Sequence, residues 1–174
     1  MIADLNEPHT DSAVTPLAAT RFAVPRDLSE WIDKSDLQSW VLAEIEAFDW
    51  NDPRLRGLLE RHPDFYPKEL LALCVYAYAT GILDSEEISF QCVRGSPLHH
   101  IAGRYMHSAK DVCRFRRTNR GLIRYVLTQV LKRATRQRYG LGLLLPAGLR
   151  RLLEQNASER LELARHMDRL ADGG

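Results

Sequence analysis

Residues 108–136 read SAKDVCRFRRTNRGLIRYVLTQVLKRATR. Val112, Phe115, Leu122, Ile123, Val126, Leu127, Val130 and Leu131 recur there in the order that lines one stripe of an α-helix. The spacing predicts a long helix, roughly Ser108 to Arg136, with Gly121 as the point where it bends or breaks. Arg116, Arg120 and Arg124 follow one another at helical steps beside that stripe, with Arg114 and Arg117 nearby. The stretch is also the most charged in the chain. From Arg104 to Arg138 there are eleven arginines and lysines and one acid, Asp111, a net +10 in a protein whose total is +1. The remainder therefore carries −9, and a pI of 7.8 conceals a dipolar molecule with one face suited to a polyanion.

Working outward, the pattern stays helical. Ser35 with Gln38 reads as a capping box ahead of Leu37, Trp40, Val41, Ile45 and Phe48. Asp52-Pro53 opens a further helix holding Leu55, Leu58 and Leu59. Pro67 suits a first helical turn, and Leu70, Leu71, Cys74, Val75 and Tyr78 follow on a segment apolar on most sides, which predicts the central helix. Gly81 stops it. Asp84 with Glu87 caps the next helix, with Ile88, Phe90, Cys92 and Val93. Gly95-Ser96-Pro97 breaks the chain before a short helix, Leu98 to Ala102, that ends at Gly103. Beyond the basic segment, Gly140-Leu141-Gly142 reads as a hinge, followed by two short helices near Ala147–Gln155 and Ser158–Leu170. No stretch reads as a strand. The expected fold is an all-α, compact multi-helix domain with a helix-turn-helix-like module, a long basic helix and short C-terminal helices. The expected organisation is a flexible tail over 1–24, a helical domain over 25–138, and a hinge with C-terminal helices over 139–174. The expected core includes Leu70, Leu71, Val75, Tyr78, Ile88, Val112, Phe115 and Leu122.

Composition narrows the function classes. The longest apolar runs, such as Leu70–Leu73 and Leu143–Pro146, are too short to span a bilayer. The first residues, with Asp4 and Glu7, do not follow the order of a signal peptide, so a cytoplasmic, nucleoid-associated protein is expected. Cys74, Cys92 and Cys113 are odd in number and isolated, as reduced buried thiols are. Lys and Arg near Cys113 would lower its pKa, but no base stands by to make it a nucleophile. His99, His100 and His107 with Cys92 and Cys113 match no zinc spacing, and neither a phosphate loop nor a nucleophile elbow occurs. No catalytic residue, metal or cofactor is expected.

Small helices followed by a basic one form the order of helix-turn-helix modules, in which the recognition helix places its N-terminal part in the major groove. Its first turns would offer Lys110, Arg114 and Arg117 to DNA, with Val112 and Phe115 facing inward. Guanidinium groups suit phosphates and guanine edges because they bond bidentately. His99, His100, Arg104 and His107 precede them and would add phosphate contacts. A merely solvated basic face is the plainer alternative. The near absence of opposing acids favours a polyanion, because unbalanced arginines on one helix repel each other. DNA is favoured over RNA because the aromatic and loop patterns of the RNA modules are missing.

Tyr66-Pro67 with Leu70-Leu71, Tyr76-Ala77-Tyr78, Gly81-Ile82, Cys92, Leu98, Ile101, Gly103 and Arg114-Phe115-Arg116-Arg117 stand in a familiar order. In this order the stretch from about Val24 to Ala134 resembles the helical N-terminal domain of bacterial insertion-sequence transposases of the DDE class (InsH-type). The resemblance implies binding of the element's terminal DNA, with Arg114, Arg116 and Arg117 on the family's basic motif. The family usually carries an Asp and a Thr before that motif, where this chain has Ser108 and Asp111. Its catalytic domain follows the helical one with an Asp-Gly-Thr strand; here Leu145-Pro146-Ala147-Gly148 stands instead, and Asp168 and Asp172 lie on a terminal helix with nothing expected to hold them. The resulting expectation is a DNA-binding, non-enzymatic protein, a regulator or truncated transposase. Its expected DNA-binding residues are Arg104, Lys110, Arg114, Arg116, Arg117, Arg120 and Arg124. The partners are double-stranded DNA such as transposon ends, a second copy or an intact transposase, and no membrane. The alternatives are the DNA-binding subunit of a split transposase and a protein–protein interaction module.

Overall fold

The computed structural model describes residues 22–53, 67–103 and 105–172. Among them it is all-α, with seven α-helices: α1 (Lys34–Glu46), α2 (Pro67–Ala79), α3 (Ser85–Gln91), α4 (Pro97–Ala102), α5 (Ala109–Thr118), α6 (Arg120–Tyr139) and α7 (Ala147–Asp172). A 3₁₀ turn, Leu28–Glu30, precedes α1. The expected helix with Leu55, Leu58 and Leu59, together with Tyr66 and Arg104, lies outside the described residues.

The centre is α2. Eleven of its thirteen residues are buried, which a helix achieves only when it is packed from every side. α1, α4, α5 and α6 pack around it. Pro67 opens α2, and beyond its end Gly81 turns the chain at φ 77° while the Ile82 N–H donates back to the Ala77 carbonyl at 2.8 Å. A Cβ at Gly81 would stand 3.2 Å from the Arg26 carbonyl oxygen, so conformation and space both call for glycine.

The caps follow the sequence with one displacement. Asp33, two residues earlier than the expected Ser35 box, caps α1 by accepting from the Ser35 N–H at 2.8 Å. Asp84 caps α3, and Ser96 caps α4 with Pro97 in the first helical position. The expected apolar positions Phe90 and Val93 are 48% and 59% exposed, since α3 ends at Gln91 and turns only Ile88 and Cys92 inward. Phe22 and Val24, expected within the tail, pack against the core, and Phe22 meets Tyr139 edge-on at 5.2 Å. Of the expected core residues, Leu122 alone is only partly buried; Ile123 takes the fully buried position beside it.

Two expectations for the second half need correction. The basic segment is two helices, broken at Asn119 rather than at Gly121, with the Asn119 side chain donating to the Phe115 carbonyl at 2.9 Å. The C-terminal segment is one continuous helix rather than two. Leu149, Leu153, Ala157, Leu161 and Ala164 are all buried along it, so packing of this stripe carries the helix through Asn156 and Ser158, which are weak helix formers. Gly140, left-handed at φ 61°, ends α6, and α7 folds back along it. The direction is fixed by three ion pairs, Lys132–Glu154, Arg120–Glu162 and Arg116–Asp168: descending α6 and α5 means ascending α7, so the two run antiparallel.

Candidate nucleic-acid interface

Helix α5 is set by its first turn. The Asp111 N–H donates to Ser108 Oγ at 3.2 Å, and the Ser108 N–H donates to the Asp111 carboxylate at 3.1 Å, a reciprocal capping box. The hydrogen bond from Ser108 holds the Asp111 pKa below its ordinary value. Asp111 is therefore occupied in starting the helix. Val112 and Phe115 are buried, while Lys110, Arg114 and Arg117 are exposed. Arg124 is exposed on α6, and Arg120 is partly exposed and paired with Glu162 at 2.5 Å.

Arg116 departs from its expected role. It is 4% exposed, and its guanidinium is bound within the fold. Nε donates to Asp168 Oδ2 at 2.7 Å, one terminal nitrogen donates to Asp168 Oδ1, and the other reaches the Leu83 carbonyl at 2.6 Å and the Tyr78 hydroxyl at 3.3 Å. Ser85 Oγ donates to the same carboxylate at 3.0 Å. Burial opposes both charges, yet the mutual hydrogen bonds prevail: the Arg116 pKa is raised and the Asp168 pKa lowered. Val112, Phe115 and Arg116 share the buried side of α5, so Arg116 occupies a core position rather than a ligand-facing one. Asp168, expected to be unsupported, is the partner that makes this tolerable.

A second buried arginine has no ion-pair partner among the described residues. Arg160 on α7 donates to the carbonyls of Pro25 (2.6 Å), Arg26 (2.8 Å) and Tyr78 (2.6 Å), with a longer contact to Ala79 (3.3 Å). It thus satisfies the end of α2 and ties the N-terminal entry to α7. Burial lowers its pKa to about 10. Sequence reasoning missed both Arg160 and Asp168. Their signal was positional: each falls on the α7 stripe formed by Leu153, Ala157, Leu161 and Ala164.

Three of the four bases on the second half of α6 are also engaged within the fold, and Arg138 is exposed. Lys132 pairs with Glu154 at 3.7 Å, Arg133 stacks over the Trp40 ring at 4.5 Å, and Arg136 donates to the Leu143 carbonyl at 2.8 Å. At the α5–α6 junction several bases line a furrow whose facing wall is α7. One groove, of about 610 Å³, holds Lys110, Arg114 and Arg117, but Asp84, Glu86 and Asp168 balance them. The neighbouring groove, of about 770 Å³, shares Arg117 and Asp168 with the first and adds Arg116, Arg120, Arg165, Arg169 and Glu162. With Arg116 and Asp168 paired to each other, four arginines against Glu162 make it the most positive concavity among those described. A third groove follows α6 past Arg124 to Lys132 and Glu154.

The remaining candidates separate. His107, expected near phosphates, is 7% exposed, and burial lowers its pKa. His99 and His100 are exposed, with ring nitrogens 2.6 Å from the Cys92 carbonyl and 3.0 Å from the Ser96 carbonyl. The Cys113 pKa is raised rather than lowered, first by burial and then by Asp168, which outweigh the lowering influence of Ser85 and Arg117. Among the described residues no three His, Cys, Asp or Glu side chains converge as metal ligands, and no helix is long and apolar enough to cross a membrane. Comparison with known proteins finds no match: no family model, curated protein or solved structure matches this chain.

Proposed function

We propose that the chain binds double-stranded DNA through the furrow at the α5–α6 junction, as a transposase-like domain acting without catalysis of its own. The observation that carries the reading is the division of labour on α5. Phe115 and Arg116 anchor the helix inward, while Lys110, Arg114 and Arg117 stand exposed on its outer side. Exposed guanidinium groups in a row are the usual means of tracking phosphates. The transposase part of the proposal rests on the motif order from Tyr66 to Arg117, and it specifies transposon-end DNA as the target and an intact transposase or a second copy as the partner. Acting by occupancy, such a protein covers element ends or pairs with the active enzyme.

The test is fluorescence anisotropy on short duplexes over a range of salt. Replacing Lys110, Arg114 and Arg117 together with Ala lowers the slope of log affinity against log salt by about 0.9 per lost phosphate contact. A wild-type protein without salt-dependent duplex binding contradicts the proposal. One observation favours the alternative of a protein-interaction module: Leu163, Met167 and Leu170 follow one another at helical spacing on the outside of α7, at 49%, 36% and 65% exposure. Self-association lost on changing Leu163 and Leu170 to Gln, with DNA affinity intact, supports that role; a wild type that sediments as a monomer at high concentration opposes self-association.

A further inference from the structure

We infer that the C-terminal helix α7 supplies half of the DNA site, with Arg165 and Arg169 binding backbone phosphate across the furrow from Arg117 and Arg120. The inference rests on the DNA-binding reading above and extends it to a segment outside the transposase-like motifs. Three observations lead to it.

The first is charge. Among the described residues the groove along α5 sets three bases against Asp84, Glu86 and the shared Asp168, whereas the groove walled by α7 holds, besides the internally paired Arg116 and Asp168, four arginines against Glu162. A polyanion is drawn to the second more than to the first. The second is the state of those two acids. Asp168 is buried and consumed by Arg116, so it presents little charge outward. Glu162 is 59% exposed and bridges Arg120 at 2.5 Å and Arg165 at 3.8 Å. An exposed carboxylate of this kind contributes little to stability and can be displaced by a phosphate oxygen making the same bonds. The third is rigidity. Arg165 and Arg169 lie one turn apart on the same face of α7, and the helix is held in register from its buried side by Arg160 on the α2 carbonyls and by Asp168 on Arg116. The wall is fixed from both ends before any ligand arrives, which limits the ordering cost of binding.

Arg165→Ala with Arg169→Ala tests this in the full chain, using a duplex of 20–30 base pairs (~25) and anisotropy across a salt series. Both residues are exposed, so the melting temperature should stay near wild type. The expected result is a salt slope reduced by about 1.8, two phosphate contacts, and largely recovered by the Arg165→Lys, Arg169→Lys pair, since lysine preserves the charge. Glu162→Gln gives the opposite sign: removing the competing carboxylate raises duplex affinity severalfold, an outcome a purely structural role for this ion pair would not produce. A wild-type slope in the double-alanine variant, with no gain from Glu162→Gln, overturns the inference while leaving DNA binding by α5 intact. A wild-type protein with no salt-dependent duplex binding overturns the inference and the reading beneath it together.

Discussion

Fifty-two positions separate Arg116 from Asp168, and their pairing decides which arginines are left to meet a ligand. Removing one member of a buried hydrogen-bonded pair leaves the other desolvated and unmatched, at a cost of about 3–5 kcal/mol, whereas replacing both by apolar residues of similar volume is often neutral. Asp168→Ala should therefore destabilise by about that amount in urea unfolding, and Arg116→Met with Asp168→Leu should recover most of it. The DNA salt slope should not change in the double variant; a slope that falls would return Arg116 to the ligand-facing group. His107 gives a second prediction. Burial lowers its pKa, with Asp111 and Glu69 acting the other way, and its Nε2 has no hydrogen-bond partner among the described residues. The unfolded chain then takes up a proton that the folded chain refuses. Stability is full above the ordinary histidine pKa of 6.5 and declines as pH falls below it toward the lowered folded value. Asp111 and Asp168, whose pKa values are lowered, add a further loss only below the ordinary carboxylate value of 3.8. Unfolding followed from pH 8 to about 5 should show the first decline in wild type and not in His107→Gln; an identical decline in both assigns it elsewhere.

At the scale of the element, each helix shows what local sequence can and cannot specify. Asp84, Ser96 and Pro97 fix the starts of α3 and α4, and Gly81 and Gly140 fix turns, because a cap or a positive φ is a property of a few adjacent residues. The all-round apolarity of α2 marked it as central for the same reason. Arg116 was misassigned because charge was counted along the segment, when its place between Phe115 and Asn119 on the buried stripe was equally visible. Its partner was not visible, since nothing local connects Asp168 to α5. The continuity of α7 was hidden as well: Asn156 and Ser158 read as a gap, but Ala157 between them is fully buried, and packing against α6 overrides their weak propensity. Phe115 tests the packing of α5. It is 1% exposed, so Phe115→Ala should cost about 3–5 kcal/mol and lower the melting temperature markedly. A shift near zero would mean that α5 does not seat through this ring.

At the scale of the molecule the charge is sorted by region. Residues 26–52, which include α1, hold eight acids and two bases, against the net +10 of residues 104–138. The folded chain spends several of those bases internally, on Asp168, Glu154, the Trp40 ring and the Leu143 carbonyl, and leaves a cationic furrow between the α5–α6 junction and α7. The composition announced the polyanion reading, but not the furrow's second wall, because α7 has as many acids as bases and only folding brings Arg165 and Arg169 opposite Arg117 and Arg120. The central claim is that duplex DNA occupies this furrow. Backbone amide chemical-shift mapping of the full chain, titrated with a short duplex at low salt, tests it most directly. Perturbations should cluster on residues 110–124 and 161–169 and fade as salt is added. Perturbations confined to α1, or none at duplex excess, would contradict it.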